Sequence, residues 1–560
     1  MEINYENTWI KHMKTITKCL VVLMALTGIS AARNADASTI YVNAAGNSPS
    51  PNGASWQTAF ISLQDALDAA APGDQIWVAQ GTYVPTEIYA PNGVTGGASG
   101  LNTPSLKTFN LPDQIAIYGG FAGTEHSVGQ RRPDIYHTVL SGLTLTGQSW
   151  HVVIAGNDVA QTGVTTTLDG LTISDGNAQG PFGSNTLFAP FAYDHDYGGG
   201  LYIAFDSVIN VNNVRFLNNT AALDGGGLFS INSNLTVTNS YFAGNVTSQR
   251  AGALEVLNTF ETAPHTASIS DTEFDGNSGP IFGGAIVGEG TIPNDNSSLD
   301  INNCVFTNNT ALEGGAIVFD SQTSTVRNSR FEHNTAVVNA GALATTNVVD
   351  TFVNATLFGP PHPFTRFTTT ISNCEFNDNV AQGDQEAHDS IFGNPAAVGL
   401  DFALGGGALV TYMNGYLNVS DSKFHHNTAQ NGDGGAILNG RAAAQNALFS
   451  GADAYDVQTT IVNCQFTGNA APLGNGGGVA SLPDTLFNIP ARTVANTRVS
   501  LTESDLHDNS AGSNGGAIYL NVSTATLSGN KAGGNHATLG KAIYGLDSII
   551  NGSSVSPFIR

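Results

Sequence analysis

The stretch Ile301-Asn302-Asn303-Cys304-Val305-Phe306-Thr307-Asn308-Asn309, followed by Gly314-Gly315-Ala316-Ile317, decides the fold, because variants of it recur along most of the 560 residues. In each copy an apolar residue is followed three positions later by Asn, and a Gly-Gly-Ala-Ile-like corner comes next. The shortest spacings between copies, Phe306 to Phe331 and Leu506 to Leu527, are about 25 and 21 residues, a period typical of solenoids. The apolar position is occupied by Phe216, Phe242, Phe274, Phe306, Phe331, Phe376, Phe424, Phe466, Leu506 and Leu527. The Asn position is occupied by Asn219, Asn245, Asn277, Asn309, Asn334, Asn379, Asn427, Asn469, Asn509 and Asn530.

The residues before each Phe predict a bend in the chain. An aliphatic residue lies five positions earlier and a small one two positions earlier, as Ile301 and Cys304 do before Phe306. Strand side chains alternate with period two, so both can face one core only if the backbone bends between them. The residue at the bend is usually Asn or Asp, which tolerate left-handed backbone, whereas Glu503 is an exception to that rule.

Stacked copies of this unit predict an all-β protein, a right-handed parallel β-helix whose handedness is inferred from known solenoids. Each strand would pair with its equivalents above and below, about 4.8 Å away. The Phe side chains would then stack inside, and the Asn side chains would form amide ladders along the axis. One helical stripe, from Leu63 to Ala70, predicts an N-terminal capping helix, because an open solenoid end exposes apolar side chains.

The alternating Gly-Gly-Ala-Ile and Phe-x-x-Asn motifs resemble the repeats of chlamydial polymorphic outer-membrane proteins. The Asn-Cys-x-Phe framing is similar to the pectate-lyase-like superfamily of secreted β-helices. These resemblances cover roughly residues 173–543. They imply a secreted or cell-surface location and adhesion, although repeats carry fold more directly than function.

Composition excludes some partners and predicts the state of the cysteines. The formal net charge of −25 argues against nucleic acid as a partner, since nucleic acid needs a basic surface. Cys304, Cys374 and Cys464 occupy the same inward slot on alternate coils, about 9.6 Å apart. A disulfide needs Cα atoms within about 7 Å, so three buried free thiols are expected.

The chain divides into four predicted segments. Lys14 and Lys18 precede the apolar run 20–26, and Ala35-Asp36-Ala37 offers a cleavage site, so residues 1–37 resemble a signal peptide. Met13 offers an alternative start, which would make 1–12 an extension. Residues 38–142 would form the cap and first coils, 143–545 the regular coils and 546–560 a tail. Membrane association stays possible, although the apolar run is too short to span a bilayer and the mature chain offers no other candidate.

Two acidic loops are the candidates for chemistry. Asp194, His195 and Asp196 place two carboxylates around an imidazole, which suits acid–base catalysis or a divalent cation such as Ca²⁺. A solvated loop is the simpler interpretation, and no cofactor is required. A second loop of similar content, 384–389, lies six coils further on, about 29 Å away, so the two loops cannot share one site.

Two insertions are the candidate contact surface for a glycan or a cell-surface protein. The insertion 345–370 carries Pro361, His362 and Phe364, and the insertion 382–404 carries the second acidic loop. They leave the coil at different edges, one after a glycine corner and one before. The binding candidates in the second loop are Asp384, Glu386, His388 and Asp389.

The sequence therefore favours an adhesin-like binding protein or envelope stalk, and leaves one alternative open. That alternative is a polysaccharide lyase or glycoside hydrolase. A lyase set of calcium-binding acids with a basic residue is not recognisable among the 19 Lys and Arg. A glycosidase needs two carboxylates about 5–10 Å apart, and single acids on adjacent coils could supply these without any local motif.

Overall fold

A computed structural model describes residues 37–88, 104–145, 147–156, 162–179, 196–259, 264–290, 297–347, 367–387, 400–402, 404–412, 415–440, 442–444, 457–482, 497–551, 553–555 and 558–559. From Thr39 onward the chain forms one compact unit. Four long sheets run through it, and their strands are parallel apart from two at the C-terminal end.

The four sheets are named in the order in which each coil visits them. The first sheet has 16 strands: Thr39–Val42, Gln75–Ala79, Ile115–Phe121, Thr165–Asp169, Val208–Asn212, Asn234–Thr238, Thr266–Ser270, Ser298–Asn302, Thr323–Arg327, Thr368–Ser372, Tyr416–Ser420, Val457–Val462, Thr497–Thr502, Thr524–Ser528, Ser548–Ile550 and Ser553–Val555. The second has 13: Gly81–Tyr83, Thr138–Ser141, Leu171–Ser174, Arg215–Leu217, Tyr241–Ala243, Glu273–Asp275, Val305–Thr307, Arg330–Glu332, Glu375–Asn377, Lys423–His425, Gln465–Thr467, Asp505–His507 and Lys531–Gly533.

The third and fourth sheets complete each coil. The third has 10 strands: Asn177–Ala178, Thr220–Ala221, Val246–Thr247, Ser278–Phe282, Thr310–Glu313, Thr335–Asn339, Val380–Ala381, Thr428–Ala429, Ala470–Ala471 and Ser510–Ala511. The fourth has 14: Phe109–Leu111, Val153–Ala155, Leu201–Ile203, Leu228–Ile231, Leu254–Asn258, Ile286–Gly290, Ile317–Asp320, Leu343–Thr346, Leu409–Thr411, Ile437–Asn439, Val479–Ser481, Ile518–Asn521, Ile543–Leu546 and Phe558–Ile559. Two antiparallel pairs lie outside these sheets: Leu143–Thr144 with Gly147–Gln148, and Leu400–Phe402 with Ala442–Ala444.

The sheets confirm the predicted parallel β-helix, and its interior contains the predicted aromatic column. Neighbouring Phe rings from Phe216 to Phe466 are stacked with centroids 4.5–4.9 Å apart and planes within 12° of parallel. All eight rings are fully buried. Stacked identical side chains keep each coil in register with its neighbours, because a slip of one residue would turn the whole set outward.

The bend between the first and second sheets has the predicted left-handed backbone. Asn303 has φ 54° and Asn328 has φ 52°, and the equivalent non-glycine residues of the other coils fall between 49° and 53°. Glu503, the expected exception, adopts the same conformation with φ 53°. The fold therefore imposes the bend even on a side chain that disfavours it.

A second buried column consists of the side-chain amides of Asn. Asn309 accepts hydrogen bonds from the backbone and side-chain nitrogens of Asn277, at 3.0 and 3.1 Å. Its own Nδ2 donates to the carbonyl of Phe274 and to Oδ1 of Asn334, both at 3.0 Å. Repeated on consecutive coils, this arrangement satisfies the backbone at a buried turn, which would otherwise carry unpaired polar groups.

The last coil corrects one detail of the predicted repeat. Leu527 pairs with Leu501, so it occupies the aliphatic column, and Ala532 pairs with Leu506 in the aromatic column. The amide ladder accordingly ends at Asn535, which hydrogen-bonds Asn509, rather than at Asn530. The predicted spacing of about 21 residues was therefore wrong.

Both ends of the described solenoid have additional elements. The helix Leu63–Ala69 is capped by the Ser62 hydroxyl and buries Leu63, Ala66 and Leu67 in the core, beside the first strands. Short 3₁₀ turns lie at Trp56–Thr58, Pro104–Leu106 and Val128–Gln130. At the other end, Ser553–Val555 and Phe558–Ile559 pair antiparallel with the last coil, so the segment predicted as a tail contains strands.

The cysteines are buried free thiols, as the spacing predicted. Cys304, Cys374 and Cys464 are each about 1% exposed and form no disulfide. Burial raises the pKa of Cys304 to about 12. These thiols are therefore protonated at neutral pH and serve as small packing groups.

Candidate functional site

The structure describes one of the three residues of the first predicted acidic loop. Asp194 and His195 lie outside the described residues. Asp196 is buried, and its carbonyl accepts a hydrogen bond from Leu223 at 2.9 Å. A solvent-exposed role for this carboxylate is therefore not supported.

The two insertions begin at different sheets, as the sequence predicted. The first follows the fourth-sheet strand Leu343–Thr346, and the second follows the third-sheet strand Val380–Ala381. In the second insertion, Asp384 and Glu386 are exposed, and Asp384 accepts a hydrogen bond from Ala387. Six strand steps of the third sheet separate Val380–Ala381 from Asn177–Ala178, the strands that precede the two loops in the chain. Five predicted binding residues lie outside the described part of the chain: Pro361, His362, Phe364, His388 and Asp389.

A charged cluster that the sequence did not predict lies on the outer face of the fourth sheet. Arg250 contacts Asp224 at 3.0 Å and Glu255 at 3.2 Å, and it also forms an ion pair with Glu289. The Asp224 and Glu255 side chains are 3% and 0% exposed, so the charges are removed from water. Four residues from three coils thus form one buried network of ion pairs.

The electrostatics of this network depend on the single guanidinium. Burial lowers the pKa of Arg250, but the three carboxylates together raise it well above its usual value. Burial raises the pKa of Glu255, an effect that Arg250 opposes and that Asp224 and Glu289 reinforce. A buried charge needs a partner, so Arg250 holds the surrounding acids in the fold.

Glu313 is a further buried acid, one coil beyond Glu289. It lies in the same column as Arg250, immediately before a glycine corner, and is 2% exposed. One of its carboxyl oxygens has no hydrogen-bond donor among the described residues. Burial, and then the nearby Asp320, raise the pKa of Glu313 to about 8. This group therefore retains its proton at neutral pH.

We expect Glu313→Gln to raise stability at alkaline pH. The folded pKa lies above the unfolded value of 4.5, so the contribution of Glu313 is fully present below pH 4.5 and is lost as pH rises through about 8. The amide removes this loss, which is on the order of a few kcal/mol at pH 9. Thermal unfolding from pH 5 to pH 9 measures it.

The control for this prediction is Glu386→Gln, which changes an exposed acid on the same side of the coil. It should leave the pH profile of the melting temperature as it is in the parent protein. A profile for Glu313→Gln that falls with pH as steeply as the parent's would contradict the assignment.

A shallow trough of about 350 Å³ lies on the opposite side of the coil, at the bend between the first and second sheets. Its lining residues come from four consecutive coils: Asn303, Asn328, Ser329, Arg330, Asn373, Cys374, Glu375, Asp421 and Lys423. Asn373 donates to Asn328 at 2.7 Å, and Lys423 donates to Glu375 at 2.8 Å. The bond from Lys423 is the main cause that lowers the pKa of Glu375. The trough thus offers amides, cations and carboxylates to solvent.

Two features are absent from the described residues, a metal-binding cluster and a membrane-spanning helix. Within those ranges, no three His, Cys, Asp or Glu side chains are arranged to hold a metal ion. No helix within them has both the length and the apolar character needed to cross a bilayer.

One pattern in the sequence indicates the Arg250 cluster, although no local motif does. The residue preceding each left-handed corner belongs to one column along the axis, and in four coils it is charged: Asp224, Arg250, Glu313 and Asp433. Aligning the coils on that corner brings these residues together.

Known proteins resemble parts of this chain. The Chlamydia polymorphic membrane protein repeat matches residues 303–320, which confirms the resemblance seen in that coil. Metabotropic glutamate receptor-like protein R of Dictyostelium discoideum is 30% identical over 224 residues, which are 38% of this chain and 13% of that protein. This chain thus spans a small part of its curated relative's length.

Three solved structures show remote similarity to this chain. The catalytic unit of a GH87 alpha-1,3-glucanase from Streptomyces thermodiastaticus is 12% identical with a TM-score of 0.35, covering 88% of this chain and 68% of that one. Pectate lyase Pel9A is 14% identical with a TM-score of 0.29, covering 81% of each chain. The surface adhesin PfbA of Streptococcus pneumoniae is 12% identical with a TM-score of 0.34, covering 84% and 85%. At this level the similarity says nothing about substrate or partner.

Proposed function

We propose that this chain is a secreted or cell-surface protein that binds glycans in the manner of an adhesin. The observation that carries the proposal is the trough at the bend between the first and second sheets. Its side chains combine hydrogen-bond donors and acceptors on one exposed surface, which suits the hydroxyl groups of a sugar chain.

The shape of the site fits an extended ligand. The trough crosses four coils, so its lining residues repeat about every 4.8 Å along the axis. Arg330 and Lys423 are each about half exposed, and both contact carboxylates, Glu332 and Glu375. The site is therefore mixed in charge and does not select a strongly anionic polymer by charge alone.

The proposal predicts that Arg330→Ala with Lys423→Ala weakens glycan binding at least about tenfold, a loss of about 1.4 kcal/mol. Full-length protein would be tested on immobilised neutral and acidic polysaccharides and on a glycan array. The matched control is Arg215→Ala with Lys531→Ala, which removes the same two residue types from the same sheet outside the trough. Equal binding by the two double variants would contradict the proposal.

A second candidate function, polysaccharide cleavage, is favoured by the carboxylates on the fourth sheet. Glu289 and Asp320 are register partners on adjacent strands, so two carboxyl groups lie on neighbouring coils. A protonated acid beside a carboxylate is the pair that a glycosidase uses. Release of reducing ends from the same polysaccharides, abolished by Asp320→Asn, would support this candidate, and intact polysaccharides after prolonged incubation would remove it.

A further inference from the structure

We infer that the outer face of the fourth sheet is a docking face for a strap formed by this same chain. The strap consists of the antiparallel strands Leu400–Phe402 and Ala442–Ala444, which come from two different insertions. The inference is independent of the proposed glycan binding. It is carried by the apolar composition of the face, by its burial and by the places where the chain leaves the coil.

The outer face of the fourth sheet is apolar over six consecutive strands. One row of register partners consists of Val287, Val318, Ala344, Val410, Leu438 and Ala480. The residues before them, such as Leu409 and Ile437, belong to the core, so the alternation along a strand turns these six outward. They are nevertheless at most 3% exposed, and they belong to a cluster separate from the core. Side chains that point outward and exclude water must be covered from outside.

The chain length needed for such a cover lies at the edges of this sheet. From Val208 onward, only two residues join each first-sheet strand to the second sheet, as Asn213 and Val214 do. Two residues likewise join the second sheet to the third as far as Ser510. By contrast, residues 382–408 lead into one fourth-sheet strand, and residues 440–456 lead out of the next. These two long connections contain the two strands of the strap.

The two strands can meet only over the outer face. Phe402 precedes Gly405 by three residues, and Gly405 lies at the corner where its coil enters the fourth sheet. Ala442 follows Asn439 by three residues, and Asn439 ends the fourth-sheet strand of the next coil. Because consecutive Cα atoms are about 3.8 Å apart, each strand begins within about 11 Å of its own edge of the sheet. The packed core closes the route through the interior, so the pairing of Phe402 with Ala442 spans the sheet from outside.

Glycines turn the chain at both of these edges. Gly405 has φ 135° and Gly440 has φ 93°, conformations that residues with a side chain rarely adopt. A Cβ atom on Gly405 would collide with the backbone carbonyl of Asp433, and one on Gly440 with that of Leu482. The sequence thus provides glycine at the two points where the chain passes between the coil and the strap.

A second copy of the chain, or a separate partner, fits this face less well. The outward side chains of Val410 and Leu438 are fully buried within a single chain, so their burial requires no partner. The strap also joins two successive coils, because Leu409–Thr411 and Ile437–Asn439 are register partners. The end of the insertion 382–404 is therefore anchored to the solenoid, and the trough on the opposite side stays open.

The first test measures the access of a thiol reagent to the face in the full chain. Leu438→Cys places a thiol under the strap, Gln430→Cys places one on the exposed surface of the same coil, and Ile437→Cys places one in the core. After correction for the parent's own cysteines, Leu438→Cys should react at least about tenfold more slowly than Gln430→Cys. Equal rates would show an open face and overturn the inference. Protection that depends on protein concentration would assign the cover to a second copy and overturn it too.

Opening the strap should remove this protection. Ala442→Pro with Ala443→Pro deletes at least one ladder hydrogen bond, because hydrogen-bonded and non-bonded pairs alternate in an antiparallel ladder. In that background Leu438→Cys should react at least about tenfold faster, whereas Ile437→Cys should stay protected because the coils remain folded. Unchanged protection of Leu438→Cys would assign the cover to another element and overturn the inference.

A cross-link tests the strap without prolines. Asp401→Cys with Ala443→Cys joins two register partners, whose Cα atoms lie about 4.5–5.5 Å apart in an antiparallel pair, within the range of a disulfide. Oxidation should cross-link this pair within one folded chain. The control, Asp401→Cys with Thr526→Cys, uses an exposed first-sheet position and should not cross-link. Failure of the first pair, or equal cross-linking of both pairs, would overturn the inference.

Discussion

Replacing Arg250 with methionine is expected to destabilise the protein by about 3–5 kcal/mol. The guanidinium is the common partner of Asp224, Glu255 and Glu289, and methionine would leave these buried acids without a cation. Denaturation with guanidinium chloride at pH 7.5 measures the change in free energy of unfolding. The difference from the parent should shrink towards acid pH, because burial raises the pKa of Glu255 and a protonated Glu255 needs no cation.

The control for Arg250 is an ion pair on the surface. Arg132 and Asp134 contact each other at 2.8 Å, but their side chains are 57% and 63% exposed. Exposed pairs contribute about 0–1 kcal/mol, so Arg132→Met should have little effect. Similar losses for Arg132→Met and Arg250→Met would show that the buried network does not stabilise the coils.

Replacing Asn309 with alanine is expected to cost on the order of 4 kcal/mol. The side chain of Asn309 makes four hydrogen bonds with Phe274, Asn277 and Asn334, all buried. Each abandoned buried partner costs about 1–3 kcal/mol, although some relaxation reduces the sum. Chemical denaturation and hydrogen exchange at the turns on both sides of Asn309 measure the effect.

The matched control is Asn418→Ala, because Asn418 is exposed on a strand of the first sheet. Its replacement should change the free energy of unfolding by less than about 0.5 kcal/mol. If both alanine variants were equally stable, the amide ladder would contribute nothing specific.

The interior of the coils was predictable because every repeat carries the same residue types at the same positions. Each coil must place an apolar ring, an amide and a left-handed bend at fixed offsets, so the pattern recurs wherever the structure does. Asn303 and Phe306 illustrate this directly. Glu503 adopts the bend although its residue type gave no indication, since tertiary packing outweighs a local preference of about 1–2 kcal/mol.

The register of the last coil was not predictable in the same way. Leu527 and Asn530 reproduce the Leu-x-x-Asn spacing of the motif by coincidence, because the aliphatic and small-residue columns are themselves three positions apart. The pairing of Leu527 with Leu501 and of Ala532 with Leu506 separates the two alternatives. A two-residue motif cannot distinguish two pairs of columns whose members are separated by the same number of residues.

The candidate sites could not be predicted from the sequence because their residues come from different coils. Arg250 and Glu289 are far apart in the chain, and Asn328 and Asn373 are separated by an insertion, yet each pair lies on adjacent or nearby strands. Side chains from successive coils are neighbours along the axis, so a site forms between repeats rather than within one. A search for local motifs such as Asp194-His195-Asp196 therefore does not find the clusters of charged residues.

Chemical labelling of lysine in the presence of a bound polysaccharide tests the glycan-binding proposal most directly. Lys423 lines the trough, whereas Lys541 is exposed at a glycine corner outside it and serves as an internal reference. The account predicts that saturating polysaccharide slows modification of Lys423 at least about tenfold and leaves Lys541 unchanged. Equal modification of Lys423 with and without a polymer that demonstrably binds would contradict it.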